Sequence, residues 1–392
     1  MLRILEVSIE NIGPISNLSL KVDSTFNMIC GKNGVGKTTI LDFIGQFFSH
    51  NLLLKRSANV ESGSGTLKYD QDGVQRIIKI DNRSFDAGQS DFSISGQNSI
   101  GSNSFINIKL LRDIPYKKLK HLEGEAHYDQ SAFAHRVYTG IVPGEIKSWF
   151  IRSSLFSALN EGLGEYQKRN LELAKSCFSK LDDSITFYTV KPTYEIFLNS
   201  PKGVIYFEYL SAGFKSTLAI LLGIIKEIEG RSQSKPIYAG DFEGVIMIDE
   251  LDLHLHPTWQ AKIYTVLKEV FPRTQFFCTT HSPHMVQAAK SQEIIALTAD
   301  RDGQVRLNPL LNQKWGCQGW TVEEILEDVM GLKDTRADIY ADTLLAFNNA
   351  MEQERYEAAL NAFKLLEEML HPNNVLRKLL EIQLAGLTPE ND

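Results

Sequence analysis

Eight consecutive residues, Gly31-Lys32-Asn33-Gly34-Val35-Gly36-Lys37-Thr38, constrain this 392-residue chain more than any other stretch. They fit G-x-x-x-x-G-K-[ST], the pattern of a loop that wraps phosphates. Glycines let the backbone curl so that successive N–H groups point inward at β- and γ-phosphates. A helix behind the loop adds the positive end of its dipole. Lys37 brings a full positive charge, and the Thr38 hydroxyl suits a ligand of Mg²⁺. The flanking sequence supplies what such a loop needs. Residues 26–30 form a short apolar run that reads as a strand, and Ile40, Leu41, Ile44, Phe47 and Phe48 repeat at helical spacing beyond it. Residues 31–38 together with Thr39 are therefore candidate contacts to ATP.

Three further runs bear on the same chemistry. Val245-Ile246-Met247-Ile248 is continuously apolar and ends in Asp249-Glu250. A strand buried in a parallel sheet delivers the residues at its C-terminal end to the ligand edge. Asp249 is then a candidate holder of Mg²⁺ through its water shell. Glu250 is a candidate general base for the attacking water. Residues 275–279 read as another strand, so His281 also stands at a strand's C-terminal end, where it can touch a γ-phosphate. Leu210-Ser211-Ala212-Gly213-Phe214-Lys215 follows a strand-like run and opens a long apolar helix. Read alone, Ser211 is a helix N-cap.

In chain order, the glycine-rich loop, L-S-x-G, the acid-tipped strand and the histidine together resemble the ABC ATPase family. The resemblance implies an α/β fold: a P-loop NTPase head with a mixed, largely parallel sheet, a small helical lobe and a C-terminal helical region. It implies that Lys37, Glu250 and His281 are catalytic, and that Ser211 and Gly213, with Lys215 beside them, bind the γ-phosphate held by a partner copy. Two symmetric sites then form only in a head-to-tail dimer. Leu255-His256-Pro257 lies where the family places a loop that contacts the opposite subunit. The family's Q-loop glutamine has no clear counterpart; Gln89 and Gln97 sit in a polar stretch rather than at a strand end.

No sustained heptad pattern lies between Lys37 and Ser211, so long coiled-coil arms are not expected. The tail narrows the branch. Trp320-Thr321-Val322-Glu323-Glu324-Ile325-Leu326, then Val329-Met330-Gly331, Arg336 and Tyr356-Glu357-Ala358-Ala359, resembles the Septu and retron-associated ATPases of antiphage defence. That resemblance implies a separate nuclease or toxin as effector, with self-association as a dimer or larger. The alternative is a RecF-like clamp on duplex DNA, for which Arg112, Lys117, Lys118 and Lys120 offer a basic cluster. The competing reading of that cluster is a solvated charged surface.

Composition excludes other classes. A net charge of −7 and a pI of about 5.8 do not suit a DNA-wrapping protein, though a local basic patch and nucleic-acid contact stay open. Cys30, Cys177, Cys278 and Cys317 include no C-x-x-C pair, so neither a zinc site nor a disulfide framework is expected. His121, His127 and His135 are spaced too loosely for a metal site. Asp300-Arg301-Asp302 precedes Gly303 between two strand-like runs, which turn chemistry explains without nuclease function. Charges run through the first residues and no apolar run reaches about 18 residues. A cytoplasmic protein without a membrane span is therefore expected.

The organisation expected is an N-terminal part of the head over 1–113, a helical insertion over 114–182, the rest of the head over 183–310 and a helical assembly region over 311–392. Within these, residues 66–80 read as a hairpin turning at Asp72-Gly73. Residues 86–103 read as a loop and 145–181 as helices. The last third carries a hairpin near 293–307 and helices over 322–330, 337–351, 356–370 and 374–384.

Overall fold

The computed structural model describes the chain except residues 50–53, 87–90, 97–99, 110–129, 158, 160–161, 232–235, 312, 333–335 and 388–392. Arg112, Lys117, Lys118, Lys120, His121, His127, Gln89 and Gln97 lie outside the described residues. The chain divides into two compact units, 1–331 and 332–392.

In the first unit, β1 (Leu2–Ile12) and β2 (Ile15–Lys21) form an N-terminal hairpin, β3 (Phe26–Gly31) runs into the glycine-rich loop, and α1 (Lys37–Gln46) follows it. Strands β4 (Gly63–Gln71) and β5 (Val74–Asn82) are joined by Asp72 and Gly73, both at positive φ, as the Asp-Gly pair predicts. Next come β6 (Phe92–Gly96), β7 (Phe105–Ile108) and three helices, α2 (Gln130–Thr139), α3 (Pro143–Phe156) and α4 (Glu165–Leu181). A small meander, β8 (Thr186–Val190), β9 (Ile196–Ser200) and β10 (Gly203–Tyr206), leads into α5 (Ala212–Arg231). Then β11 (Val245–Ile248), α6 (Pro257–Val270), β12 (Gln275–Thr279), α7 (Pro283–Ala288), β13 (Ile294–Ala299) and β14 (Val305–Leu307) alternate. The unit closes on α8 (Val322–Glu324), which opens into a π-helical turn over Ile325–Val329.

The central sheet has the order β14-β13-β3-β12-β11-β7, parallel throughout except for β14. Its inner strands β3, β12 and β11 are buried throughout and mostly apolar, as strands covered on both faces are. Side chains still alternate. Ile246 and Ile248 join the core built with α3 to α7, while Val245 and Met247 face α1 and the second sheet. That second sheet is antiparallel, in the order β2-β1-β4-β5-β6. The architecture is an ABC-type P-loop α/β head with a mixed sheet.

One expectation is corrected. Residues 92–96, within the stretch read as a loop, form edge strand β6, paired antiparallel to β5 from Asn82↔Phe92 to Ile78↔Gly96. An edge strand needs only its backbone groups and a few half-buried side chains, here Phe92 and Ile94, so its apolar signal is weak. The short β7 and α2 had no distinct sequence signal either. All four cysteines are buried thiols.

In the second unit, α9 (Asp338–Glu352), α10 (Tyr356–Met369) and α11 (Val375–Ala385) bury Tyr340, Phe347, Leu366, Leu380 and Leu384 in a core of their own. Among the described residues no helix is long and apolar enough to cross a membrane.

Candidate active site

The order of the central sheet builds the site. Strand β12 lies between β3 and β11, so three strand ends stand side by side: the glycine-rich loop after β3, Thr279 to His281 after β12, and Asp249-Glu250 after β11. Backbone bonds continue past the strands and hold these ends in line. Thr280 N–H donates to the Ile29 carbonyl at 3.1 Å, and Leu251 N–H to the Thr279 carbonyl at 2.8 Å.

Gly31 ends β3 at φ +136°, and a Cβ there would collide with the Leu297 carbonyl of β13. Only glycine fits this close approach. Gly36 starts α1 from the left-handed region, φ +93°. The loop between them curls around the Lys37 ammonium, whose Nζ donates to the carbonyls of Gly31 (3.0 Å) and Lys32 (2.9 Å). Burial lowers the Lys37 pKa from its usual value, opposed by Cys30, Glu250, Asp249 and Asp252. Lys32, Asn33 and Gly34 are exposed along the loop, Val35 is buried, and Thr39 follows Thr38 half-buried on the first turn of α1.

Asp249 is buried, and its Oδ1 accepts from the Thr279 hydroxyl at 2.6 Å. The Thr38 hydroxyl stands 3.3 Å from the same carboxylate. The Thr279 oxygen also accepts from the Glu250 N–H at 2.6 Å. Glu250 takes a left-handed conformation, φ +49°, rare for a residue with a side chain. Through these bonds Thr279 fixes the backbone turn from which both acids project. His281 N–H donates to Asp252 Oδ1 at 3.0 Å, and the Thr280 hydroxyl to the same oxygen at 2.7 Å. Burial first, and then the Lys37 charge, lowers the His281 pKa, with Asp252, Glu250 and Asp249 opposing. Both causes disfavour the charged imidazolium.

The donor set fits a magnesium-bound triphosphate. A hydroxyl and a carboxylate are already paired, a lysine ammonium sits on loop carbonyls, and a helix start faces the same edge. Thr38 and Asp249 are the residues that would hold the ion.

Ser211, Gly213 and Lys215 lie elsewhere. Ser211 is exposed and its hydroxyl caps α5, accepting from Phe214 N–H at 3.2 Å. A Cβ on Gly213 would press on the His254 carbonyl at 3.1 Å, so this helix start is seated on the turn that leads to Leu255-His256-Pro257. Phe214 packs edge-on against Trp259, ring centroids 5.1 Å apart. Among the described residues, no hydrogen bond or ion pair joins Ser211 or Lys215 to the glycine-rich loop.

Sequence reasoning singled out neither Thr279 nor Asp252, although Thr279-Thr280 precedes the histidine and Asp252 belongs to the acidic run after β11. It also missed Lys109, just after β7, whose Nζ pairs with Asp42 of α1 at 3.0 Å. Asp300 is committed to its turn: Oδ1 accepts from Asp302 and Gln304 N–H groups, and Oδ2 pairs with Arg306 at 2.8 Å.

The chain is similar to several known proteins. A family described as "AAA domain, putative AbiEii toxin, Type IV TA system" matches residues 105–286, and one described as "AAA domain" matches residues 6–184. The Septu protein PtuA of Bacillus thuringiensis is 43% identical over 390 residues, covering 98% of each chain. The Retron Ec83 probable ATPase of Escherichia coli is 32% identical over 188 residues, which cover 47% of this chain and 33% of that protein. Among solved structures, the SMC head domain from Thermotoga maritima aligns with 78% of this chain and 98% of its own, at 16% identity and a TM-score of 0.47.

Proposed function

The chain belongs to the Septu PtuA family of ABC-type ATPases of antiphage defence, and we propose that it closes head-to-tail around two ATP molecules to control a separate nuclease. In this reading residues 31–39 cradle the triphosphate of one copy, with Lys37 on its β- and γ-phosphates. Thr38 and Asp249 would hold Mg²⁺, which would supply charge neutralisation to the phosphates. Glu250 accepts a proton from the attacking water as its oxygen bonds to the γ-phosphorus; the bond to the bridging oxygen breaks and ADP leaves. His281 donates a hydrogen bond to the γ-phosphate. Ser211, Gly213 and Lys215 of the second copy complete the site.

The single observation that carries this reading is the Thr279 hydroxyl, bonded at once to Asp249 and to the Glu250 N–H. It supports a fixed division of labour between two adjacent acids, Asp249 turned toward Thr38 and Glu250 set on a left-handed turn that the same hydroxyl holds. Support for the second copy comes from Ser211, an exposed helix-start hydroxyl set apart from its own phosphate loop. The engagement of Asp300 in turn bonds favours an effector on another chain over nuclease chemistry here.

The test is Glu250→Gln. It keeps ATP affinity and forms a stable dimer with magnesium-ATP in sedimentation, while turnover falls by about 10²–10⁴, the usual contribution of a general base. Normal hydrolysis by that variant removes Glu250 from its role.

A further inference from the structure

The approach to Ser211 carries a feature that phosphate binding does not require. Between β10 and α5 the chain makes a single 3₁₀ turn, Phe207–Tyr209, closed by Leu210 N–H on the Phe207 carbonyl at 3.1 Å. Phe207 points into the core and is 2% exposed, whereas Tyr209 is 76% exposed, beyond every other large apolar side chain among the described residues. Its ring rests beside that of Tyr206, centroids 5.6 Å apart, and Tyr206 in turn packs on Phe197 at 4.5 Å.

The turn is not a loose loop tip. Glu208, between the two rings' positions, pairs at 2.6 Å with the ammonium of Lys147 from α3, a side chain only 4% exposed. Glu195 of the preceding meander lies 3.6 Å from the same ammonium. A buried ammonium held by two carboxylates locks the turn, because removing one partner would leave an uncompensated buried charge. The turn that carries this exposed ring is thus anchored, and Tyr206 lies beside the ring. Interface anchors are built this way, since ordering the side chain in advance removes an entropic cost of association.

Position identifies what it meets. Tyr209 precedes Ser211 by two residues, at most about 7 Å of chain. Tyr209 therefore lies on the same stretch of surface as Ser211, within reach of whatever Ser211 meets. We infer that Tyr209, backed by Tyr206, is an anchor of the ATP-closed dimer, docking on the second copy of this chain at the rim of the nucleotide that Ser211 clasps. The inference rests on the head-to-tail reading above. It adds an apolar contact, made in trans, to the polar contacts of Ser211 and Gly213.

The experiment compares three proteins in magnesium-ATP by sedimentation: Glu250→Gln alone, with Tyr209→Ala, and with Tyr209→Phe. The alanine change raises the dimer Kd by about ten- to thirty-fold, the scale of an aromatic interface anchor, and phenylalanine restores most of it. ATP affinity of the dilute monomer stays unchanged, which marks the contact as made in trans. A dimer Kd that Tyr209→Ala leaves alone overturns the inference while the head-to-tail reading stands. So does a loss confined to binding of a single-stranded oligonucleotide, which would make the tyrosines a base-stacking surface, and so does an equal loss of monomer ATP affinity. If Glu250→Gln stays monomeric with ATP, the head-to-tail reading fails first and takes this inference with it.

Discussion

The edge of the central sheet and the turn ahead of α5 are built in opposite ways. At the sheet edge the side chains are tied to one another: Lys37 on two carbonyls, Thr38 toward Asp249, the Thr279 hydroxyl on the Asp249 carboxylate and the Glu250 N–H, and Asp252 accepting from the Thr280 hydroxyl and the His281 N–H. At the turn, Glu208 is anchored on a buried lysine while Ser211 and Tyr209 face water. One region is tied together within a single chain; the other leaves a ring and a hydroxyl uncovered. The contrast teaches that preorganisation and completion are separate properties. A surface held stiff without a partner inside its own chain is shaped for one outside it.

The sharpest way to break this comparison is Lys37→Ala. It removes the buried ammonium that the loop encloses, and ATP affinity of the monomer is expected to fall by about 100-fold or more, as for loss of several charge-assisted bonds. Equilibrium titration with a fluorescent ATP analogue measures it. Ser211→Arg tests the other region. Monomer affinity for ATP should hold within error, while ATP-driven dimerisation in a Glu250→Gln background weakens by about 100-fold in sedimentation, because an interface hot spot is replaced by a clash. If both substitutions weaken the monomer's ATP affinity alike, the two regions form one site and the contrast disappears.

Two finer predictions concern the sheet edge. Thr279→Val removes the hydroxyl that orients both acids, and steady-state turnover should fall by about ten-fold with little change in ATP affinity. An unchanged rate would make that hydroxyl a core contact only. His281 gives the smallest effect. With its folded pKa below the usual 6.5, the unfolded chain binds the proton more readily, so stability is lost as pH drops from 6.5 through the folded value. An NMR titration should place the His281 midpoint below 6.5. Asp252→Asn should lower it further, because the Asp252 charge opposes the shift.

How much of this was legible depends on how local the cause is. The glycine-rich loop, the Asp72-Gly73 hairpin and strand β11 could be read directly, because glycine conformations and continuous apolar runs leave their mark within a few residues. Strand β6 could not, since an edge strand owes its existence to the backbone of β5 rather than to its own side chains. Positions 37, 38, 249, 250 and 281 stood out from their motifs. Thr279 and Asp252 did not, because a threonine or an aspartate acquires a positioning role only from what lies across the sheet.

The sequence by itself determined the parallel α/β head, the phosphate loop and the order in which its chemical groups occur along the chain. Short-range sterics and apolar periodicity act between neighbours and need no distant partner. Only the tertiary structure decided that β12 runs between β3 and β11, which lets one hydroxyl serve two acids, and that a buried lysine pins the turn before Ser211. Those facts join residues tens to hundreds of positions apart, and strand order and burial are settled by packing of the whole sheet.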